Sequence, residues 1–400
     1  MSGFICPYCF EKANTNAVFF QCINPKCSSL DPQRSALLYD IPVNQLDESQ
    51  IQKYPTVFRD YSSNALFRLF GCSNPDFAFC PECEMQTSIR VCPKCHSPFP
   101  QGVDNLSNLM IAIVGAKETG KSHFIAVLIQ KIRSLYKAFN WTLSANDDET
   151  MNLYKKHFYN PLYKSNPPRI LEVTQSARGN AVVKKPLLYS LGIIRGKRYQ
   201  SITLAFFDTA GEDMDSEDQM RLINRYIYNA SGIILLLDPL QLPGVRKKLK
   251  SEHLPHEGNA YVGDIINRVA NLIRNGRSIP RNTRIRIPLA VALSKIDMLQ
   301  DMIGKSSVIF ENSRHRGSFN LREFRNINGH IRGWISHFDE EKSFLQQTND
   351  FMNAGFFGIS ALGGNPDANG FLPFSPRPIR IEDPFLWLLW KNNFIQGKEL

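Results

Sequence analysis

Leu109-Met110-Ile111-Ala112-Ile113-Val114-Gly115-Ala116-Lys117-Glu118-Thr119-Gly120-Lys121-Ser122 is the stretch on which the fold turns. Its first half is an unbroken apolar run of strand length, the pattern of a strand buried on both faces of a parallel sheet. Its second half fits G-x-x-x-x-G-K-[ST]. In that pattern the glycines let backbone N–H groups curl around phosphates. The lysine, here Lys121, supplies a point charge, and the hydroxyl of Ser122 suits Mg²⁺. Phe124, Val127, Leu128, Lys131, Ile132 and Leu135 continue at helical spacing, so a helix N-terminus adds its dipole to the same anion site.

Three further strand ends carry polar motifs. Ser201 to Phe207 reads as a strand that stops at Asp208-Thr209-Ala210-Gly211. A carboxylate there, beside a phosphate loop, can hold Mg²⁺ through water, and a glycine amide can sense a terminal phosphate. Pro186 to Arg195 pairs with it across a Gly196-Lys197 turn as an antiparallel hairpin, residues 186–208. Ile233 to Leu237 is another buried strand, ending at Asp238, and residues 262–275 follow as an amphipathic helix. Pro288 to Leu293 leads into Ser294-Lys295-Ile296-Asp297, and Phe356 to Ile359 leads into Ser360-Ala361-Leu362.

Phosphate loop, Asp-x-x-Gly, Ser-Lys-x-Asp and Ser-Ala-Leu, in this order and each at a strand end, resemble the motif set of Ras-like GTPases of the translation-factor-related class over residues 109–395. The resemblance implies an α/β fold: a six-stranded, mostly parallel sheet with one antiparallel hairpin strand and helices on both faces. It implies a switch that binds GTP or GDP with Mg²⁺. Nucleotide would sit against Gly115, Ala116, Lys117, Glu118, Thr119, Gly120, Lys121, Ser122 and His123, with Asp208 and Gly211 at the phosphates. Ser294, Lys295 and Asp297 would read the base, and Ser360, Ala361 and Leu362 would contact the guanine O6. A carboxylate such as Asp297 accepts the N1–H and N2 hydrogens of guanine, a donor pair that adenine lacks. Mg²⁺ would be held by Ser122, Asp208 and a first-switch threonine. Thr174, just before the hairpin, is the residue chosen, with Thr142 and Thr150 as alternatives. Lys121, Thr174, Gly211 and Glu212 make up the expected catalytic set.

Two departures stand out. Ser294 replaces the usual Asn or Thr, and its hydroxyl can still tie neighbouring loops. Glu212 occupies the position of the water-orienting glutamine, where its charge opposes the γ-phosphate. Slow intrinsic hydrolysis is therefore expected, with a partner or a cis arginine (Arg169 or Arg178) supplying charge.

All nine cysteines precede residue 96, and eight form short pairs: Cys6/Cys9, Cys22/Cys27, Cys80/Cys83 and Cys92/Cys95. Two thiolates on a tight turn grip one side of a tetrahedral ion and a second pair closes it, so the pattern points to two structural Zn²⁺ sites. Taken in chain order, the first site is Cys6, Cys9, Cys22 and Cys27, and the second is Cys80, Cys83, Cys92 and Cys95. An arrangement in which pairs alternate between metals is open on spacing alone. His96 is a weak substitute ligand, and Cys72 is left over. Zinc ribbons joined to such a nucleotide domain resemble bacterial GTPases of conflict or signalling systems.

The expected organisation is two zinc ribbons in 1–100 with an irregular segment between them, a linker at 101–108, and a GTPase domain at 109–400 with insertions at 139–185, 240–258 and 298–350. In the last insertion, Leu321, Phe324, Ile327, Ile331, Trp334, Ile335 and Phe338 form a helical core stripe. Asp383-Pro384, an N-cap followed by proline at the first helical position, opens a closing helix. Apolar residues at 43% against 21% charged exclude a disordered chain. No apolar run is long enough to span a bilayer, and Met1 to Cys6 lack a basic start, so a cytoplasmic protein without membrane insertion is expected. The net charge of +10 allows an anionic partner. An unidentified protein partner docked by the ribbons is the first expectation. Nucleic acid, met by Lys184-Lys185, Arg195 to Arg198, Arg246 to Lys250 and Arg281 to Arg286, is the second, because the ribbons lack interleaved basic and aromatic residues.

Overall fold

The computed structural model describes residues 3–14, 19–39, 41–59, 77–99, 107–116, 118–171, 186–195, 198–207, 220–248, 262–339 and 343–399. A seven-stranded sheet organises the larger part of the chain. Its strands are β1 (Ser107–Val114), β2 (Trp141–Ala145), β3 (Leu187–Arg195), β4 (Arg198–Phe206), β5 (Gly232–Leu237), β6 (Leu289–Leu293) and β7 (Ala354–Gly358). The spatial order is β2-β3-β4-β1-β5-β6-β7. Only β3 runs against the rest, pairing antiparallel with both β2 and β4; every other pairing is parallel. The hairpin register, Leu187 opposite Phe206 through to Arg195 opposite Arg198, is the one the Gly196-Lys197 turn implies.

The sheet has one strand more than the expected six. β2 comes from the segment read as the insertion 139–185. Its five residues alternate only loosely between buried and exposed. What fixes them is tertiary: the Trp141 indole N–H donates to the Ile132 carbonyl at 2.9 Å, and its ring stacks on Phe139 at 4.5 Å. Beyond β2, Asp148–Leu153 is α-helical and Tyr154–Lys164 continues as a π-helix.

Five helices sandwich the sheet: α1 (Lys121–Ser134), α2 (Met220–Asn229), α3 (Val262–Arg277), α4 (Leu321–Phe338) and α5 (Asp383–Lys391). The strand period of two sorts the core into two layers. Met110, Ala112 and Val114 of β1 join Tyr226 and Ile227 of α2, Ile266 and Val269 of α3, and Ile331 of α4. Leu109, Ile111 and Ile113 join Phe124 and Leu128 of α1 and Leu386, Trp387 and Leu389 of α5. The α4 stripe packs as its spacing predicts, with Ile327, Ile331, Ile335 and Phe338 buried and Arg322, Arg325, His330 and Arg332 exposed. At α5 the cap differs from expectation: Glu382 is the N-cap and Asp383 is already helical, because its carboxylate is turned inward onto Arg380 at 3.1 Å. Among the described residues no helix is long and apolar enough to cross a membrane.

The cysteine-bearing region is built from short strands. Phe19–Gln21 pairs with Val57–Arg59 on one side and Arg90–Val91 on the other. The helix Pro32–Tyr39 lies between the second and third cysteine pairs in sequence.

Candidate functional site

The phosphate loop hangs from the C-terminal end of β1, between β4 and β5, the crevice where parallel α/β sheets bind ligands. Gly115 is needed for close approach: a Cβ there would stand 2.6 Å from the Thr119 hydroxyl and 2.9 Å from the Leu236 carbonyl. Gly120 has φ +88, the left-handed region that costs other residues most, and it caps α1. The Lys121 ammonium is buried and donates to the Gly115 and Ala116 carbonyls, both at 2.9 Å. Thr119 donates its hydroxyl to the Ala116 carbonyl. The loop is thus rung by its own lysine, with the first-turn N–H groups of α1 at its mouth. Lys117 lies outside the described residues, and Glu118 is exposed with φ +65.

The loops that follow β6 and β7, which carry Ser294-Lys295-Ile296-Asp297 and Ser360-Ala361-Leu362, are tied to their neighbours just beyond the strands. The Ser294 N–H donates to the Leu237 carbonyl at 2.8 Å and its hydroxyl to the same oxygen at 3.2 Å. The hydroxyl therefore ties β6 to β5, the task expected of it despite the unusual residue. The Ile296 N–H donates to the Ile359 carbonyl at 3.2 Å, joining the Asp297 loop to the Ser360 loop. Asp297 is half-buried. Ser360 is buried, is bridged to Ile379 through both backbone bonds, and accepts from the Gly363 N–H at 2.9 Å. The start of the Ser360-Ala361-Leu362 turn is therefore held by the protein's own hydrogen bonds.

The Lys295 ammonium pairs with Asp238 at 2.7 Å, and Asp238 in turn accepts from the Leu240 N–H at 2.9 Å. Lys295 is also close enough to the phosphate-loop helix to act on His123. Burial first, and then the Lys295 charge, draws His123 down to about 4. The neutral His123 ring accepts the Leu171 N–H at Nε2, 3.1 Å away. Ile170 donates to the Gly370 carbonyl at 2.9 Å and Leu372 to the Pro168 carbonyl at 2.7 Å. The chain up to Leu171 is therefore clasped between α1 and the loop that follows Ser360-Ala361-Leu362. Thr174, Arg178, Asp208, Gly211 and Glu212 lie outside the described residues. Of the alternatives, Thr142 sits in β2, and Thr150 is buried, its hydroxyl accepting the Leu188 N–H, so its surroundings are those of a core residue. Arg169 is exposed and bridged to Phe371.

The cysteines assemble differently from the chain-order expectation. Cys6 and Cys9 meet Cys92 and Cys95, while Cys22 and Cys27 meet Cys80 and Cys83. The outer pairs share one centre and the inner pairs the other, a nested order rather than a sequential or alternating one. The physical reason is the sheet: Phe19–Gln21 pairs antiparallel with Arg90–Val91, so the chain before Phe19, with Cys6 and Cys9, meets the chain after Val91, with Cys92 and Cys95, while Cys22 and Cys27 beyond Gln21 meet Cys80 and Cys83 ahead of Arg90.

A tetrahedral ion with Zn–S bonds of about 2.3 Å needs sulfurs about 3.8 Å apart. Cys6 to Cys95 is 3.8 Å, Cys9 to Cys92 3.9 Å, Cys27 to Cys80 3.8 Å and Cys22 to Cys83 3.4 Å. Backbone N–H groups of Tyr8, Asn24 and Lys94 point at Cys6, Cys22 and Cys92, the supporting donors that a thiolate site uses. Burial and neighbouring sulfurs push Cys6 up, while the Met85 backbone N–H draws Cys83 down to about 7. Both sets fit Zn²⁺. His96 is not a ligand; its Nδ1 meets the Asp31 carboxylate at 2.9 Å.

The Double-GTPase 2 family matches residues 109–340, which span β1 to the end of α4. The chain belongs to the Double-GTPase 2 family. Its nucleotide domain is accordingly of the GTP-binding kind. SaeC of Mycolicibacterium smegmatis, for which a role in ESX-1 scaffolding and assembly is proposed, is 28% identical over 326 residues, covering 75% of this chain and 79% of SaeC. Among solved structures, the GTPase-like domain of Saccharomyces cerevisiae Ski7 bound to GDP and inorganic phosphate is 15% identical, covers 72% of this chain and 50% of its own, and has a TM-score of 0.32. A nucleolar GTP-binding protein 1 of Plasmodium falciparum is 14% identical, covers 72% of this chain and 89% of its own, and has a TM-score of 0.27. The chain spans about half of the Ski7 chain it matches.

In this Double-GTPase chain the residues that sequence reasoning passed over are supporting ones. Asp238 was visible as an acid at a strand end followed by proline, which is itself a signal. The Leu171–His123 and Phe371–Arg169 contacts had no local signature.

Proposed function

We propose that this protein is a Mg²⁺-dependent GTP-hydrolysing switch, stabilised by two Zn²⁺ ions, whose cysteine-bearing region meets a protein partner. The observation that carries the reading is the joined pair of base-side loops, Ile296 N–H to Ile359 O, beside a lysine-ringed phosphate loop. Such an arrangement presents a carboxylate and a backbone turn to one base edge while the phosphates lie on α1. Ser122, Asp208 and Thr174 would hold Mg²⁺, which neutralises charge building on the phosphates. Lys121 would orient the β and γ oxygens, and Gly211 and Glu212 are the residues we assign to the attacking water. Glu212 carries charge where a neutral amide would serve better, so hydrolysis by the isolated chain is slow.

A protein partner is supported by the scaffolding and assembly role proposed for the SaeC relative. The inner cysteine centre supports it too: Ile23, Phe77, Phe79 and Met85, on the segments that carry that centre, are all 45% or more exposed.

Calorimetric titration of the full chain with GDP, a non-hydrolysable GTP analogue and the matching ATP analogue, with Mg²⁺, tests the reading. Binding of the two guanine nucleotides and not the adenine one is expected, and equal binding of adenine would overturn it. Single-turnover hydrolysis is the second arm, and Glu212→Gln is expected to speed it.

A further inference from the structure

The two cysteine centres are used differently. The inner one has its own small core around Phe20, Phe58 and Ala78. The outer one sends a side chain into the nucleotide domain. Phe10, the residue just after Cys9, is fully buried among the residues beneath β1, β4 and α2. Its ring lies 5.7 Å from Phe207, edge to face, and 4.9 Å from Tyr226. Phe207 is the last described residue before Asp208, and Tyr226 belongs to α2, the helix after the Asp208–Gly211 motif. Phe207 and Tyr226 are themselves 5.5 Å apart, so three rings close on one another.

The attachment is double. Asn229 of α2 donates its side-chain N–H to the Phe10 carbonyl at 2.8 Å, and Arg225 of α2 faces Glu11 at 3.6 Å. Tyr226 also donates its hydroxyl to the Ile111 carbonyl of β1, the strand that ends in the phosphate loop. One helix thus touches the outer cysteine turn on one side and the phosphate-loop strand on the other.

The backbone of Phe10 is held by the cysteine turn itself. Its N–H donates to the Cys6 carbonyl, and the Cys6 N–H to the Glu11 carbonyl, both at 2.9 Å. This closure leaves Phe10 at φ +58. The matching residues after Cys83 and Cys95, Glu84 and His96, also have positive φ, so the turn demands it. Glu84 is exposed there and His96 half-buried. A bulky aromatic residue in the left-handed region is unfavourable, and such strain persists where surrounding structure over-determines it.

We infer that Phe10 is a positioning residue of the GTP switch: the outer zinc turn drives its ring between Phe207 and Tyr226, so that metal at Cys6, Cys9, Cys92 and Cys95 sets the stance of the strand end and helix that flank the Asp208–Gly211 motif. This rests on the GTP reading above for its functional consequence, but the mechanical coupling stands on the three-ring contact alone.

The experiment uses the full chain as wild type, Phe10→Ala, Phe10→Leu and Asn229→Ala. Zinc content, amide hydrogen exchange, and affinity for GDP and for a non-hydrolysable GTP analogue are measured. Phe10→Ala is expected to keep both zinc ions and to weaken the GTP analogue relative to GDP by about tenfold. Exchange should accelerate in peptides covering β4 and α2 while those covering β6 and Ser294–Asp297 stay protected. Phe10→Leu should restore most of both effects. Unchanged exchange in α2, or acceleration spread evenly over the chain, would overturn the inference. Should Phe10→Ala lose zinc or fail to fold, Asn229→Ala decides: faster exchange confined to α2 and β4 supports the coupling and an unaltered pattern ends it. Failure of wild type to bind either guanine nucleotide would end the GTP reading, whereas the exchange comparison would still judge the wedge.

Discussion

The Lys295 ammonium stands 2.7 Å from the Asp238 carboxylate, so the loop that carries Asp297 is tied by charge to the end of the neighbouring strand β5. Asp238 is a tenth exposed and Lys295 just over a third, which makes the pair partly screened. Asp238→Asn keeps an acceptor for the Leu240 N–H and removes only the charge. It is expected to weaken guanine-nucleotide binding by about fivefold, or about 1 kcal/mol, the upper end for a partly exposed pair. Calorimetry with GDP checks this; an unchanged constant would mean that Asp238 does not position Lys295.

Asp297 is half-buried on a loop already fixed by the Ile296–Ile359 bond. Asp297→Asn replaces an acceptor pair with an amide that cannot receive both guanine hydrogens, leaving polar groups unmatched. GDP affinity should fall at least tenfold, with a gain for xanthine diphosphate, whose edge offers an acceptor where guanine has its amino group. Competition between the two nucleotides reads the outcome.

The nested cysteine order makes a counting prediction. Cys9→Ser with Cys92→Ser should cost one zinc per chain, because both changes fall on the same centre. Cys9→Ser with Cys27→Ser should cost two. Sequential pairing of the ribbons would reverse these numbers. Zinc released on thiol modification, measured by a chromogenic chelator, separates the two. Loss of the outer centre should also lower the melting temperature of the nucleotide domain, since Phe10 belongs to that domain's core.

Next to Ile379, Arg380 donates to Glu323 at 2.9 Å and to Asp383 at 3.1 Å, all three nearly excluded from solvent. Burial alone would raise the Asp383 carboxyl, yet His315, 3.5 Å away, and the Arg380 charge hold it below the usual carboxylate value of 3.8. The sign follows: the unfolded chain binds the proton more readily, so this contribution is complete above pH 3.8 and is lost as pH falls through the lowered value. Asp383→Asn leaves Arg380 with a buried charge only half matched and should cost about 3 kcal/mol at pH 7. Urea melts at pH 7 and near pH 3 should show the gap between variant and wild type narrowing in acid.

Much of the nucleotide domain was readable because its signals are local. A buried parallel strand must be apolar along its length, and a phosphate loop must carry glycine where backbone approaches backbone, as Gly115 does against Leu236. The hairpin and the α4 stripe announce themselves by period, since a strand repeats every two residues and a helix every 3.6. β2 did not, because five residues with weak alternation become a strand only when Trp141 finds Ile132 and Phe139. Asp383 reads as a helix cap from its proline neighbour, yet Arg380, buried nearby, turns it inward instead.

The division is clearest at the cysteines. That Cys6 and Cys9 act as a unit is local chemistry: two residues of chain on a tight turn place two sulfurs on one side of an ion, whatever lies elsewhere. Which pair completes the tetrahedron is not local. It depends on the pairing of Phe19–Gln21 with Arg90–Val91, strands about seventy residues apart whose register superposes the two ends of the region. The same holds for Phe10. By itself the sequence made it an aromatic residue after a metal-binding turn. Its place between Phe207 and Tyr226, 0% exposed, follows only from the packing of that turn against a sheet nearly two hundred residues further on, because burial is a property of surfaces brought together and no short stretch of chain encodes its own partner.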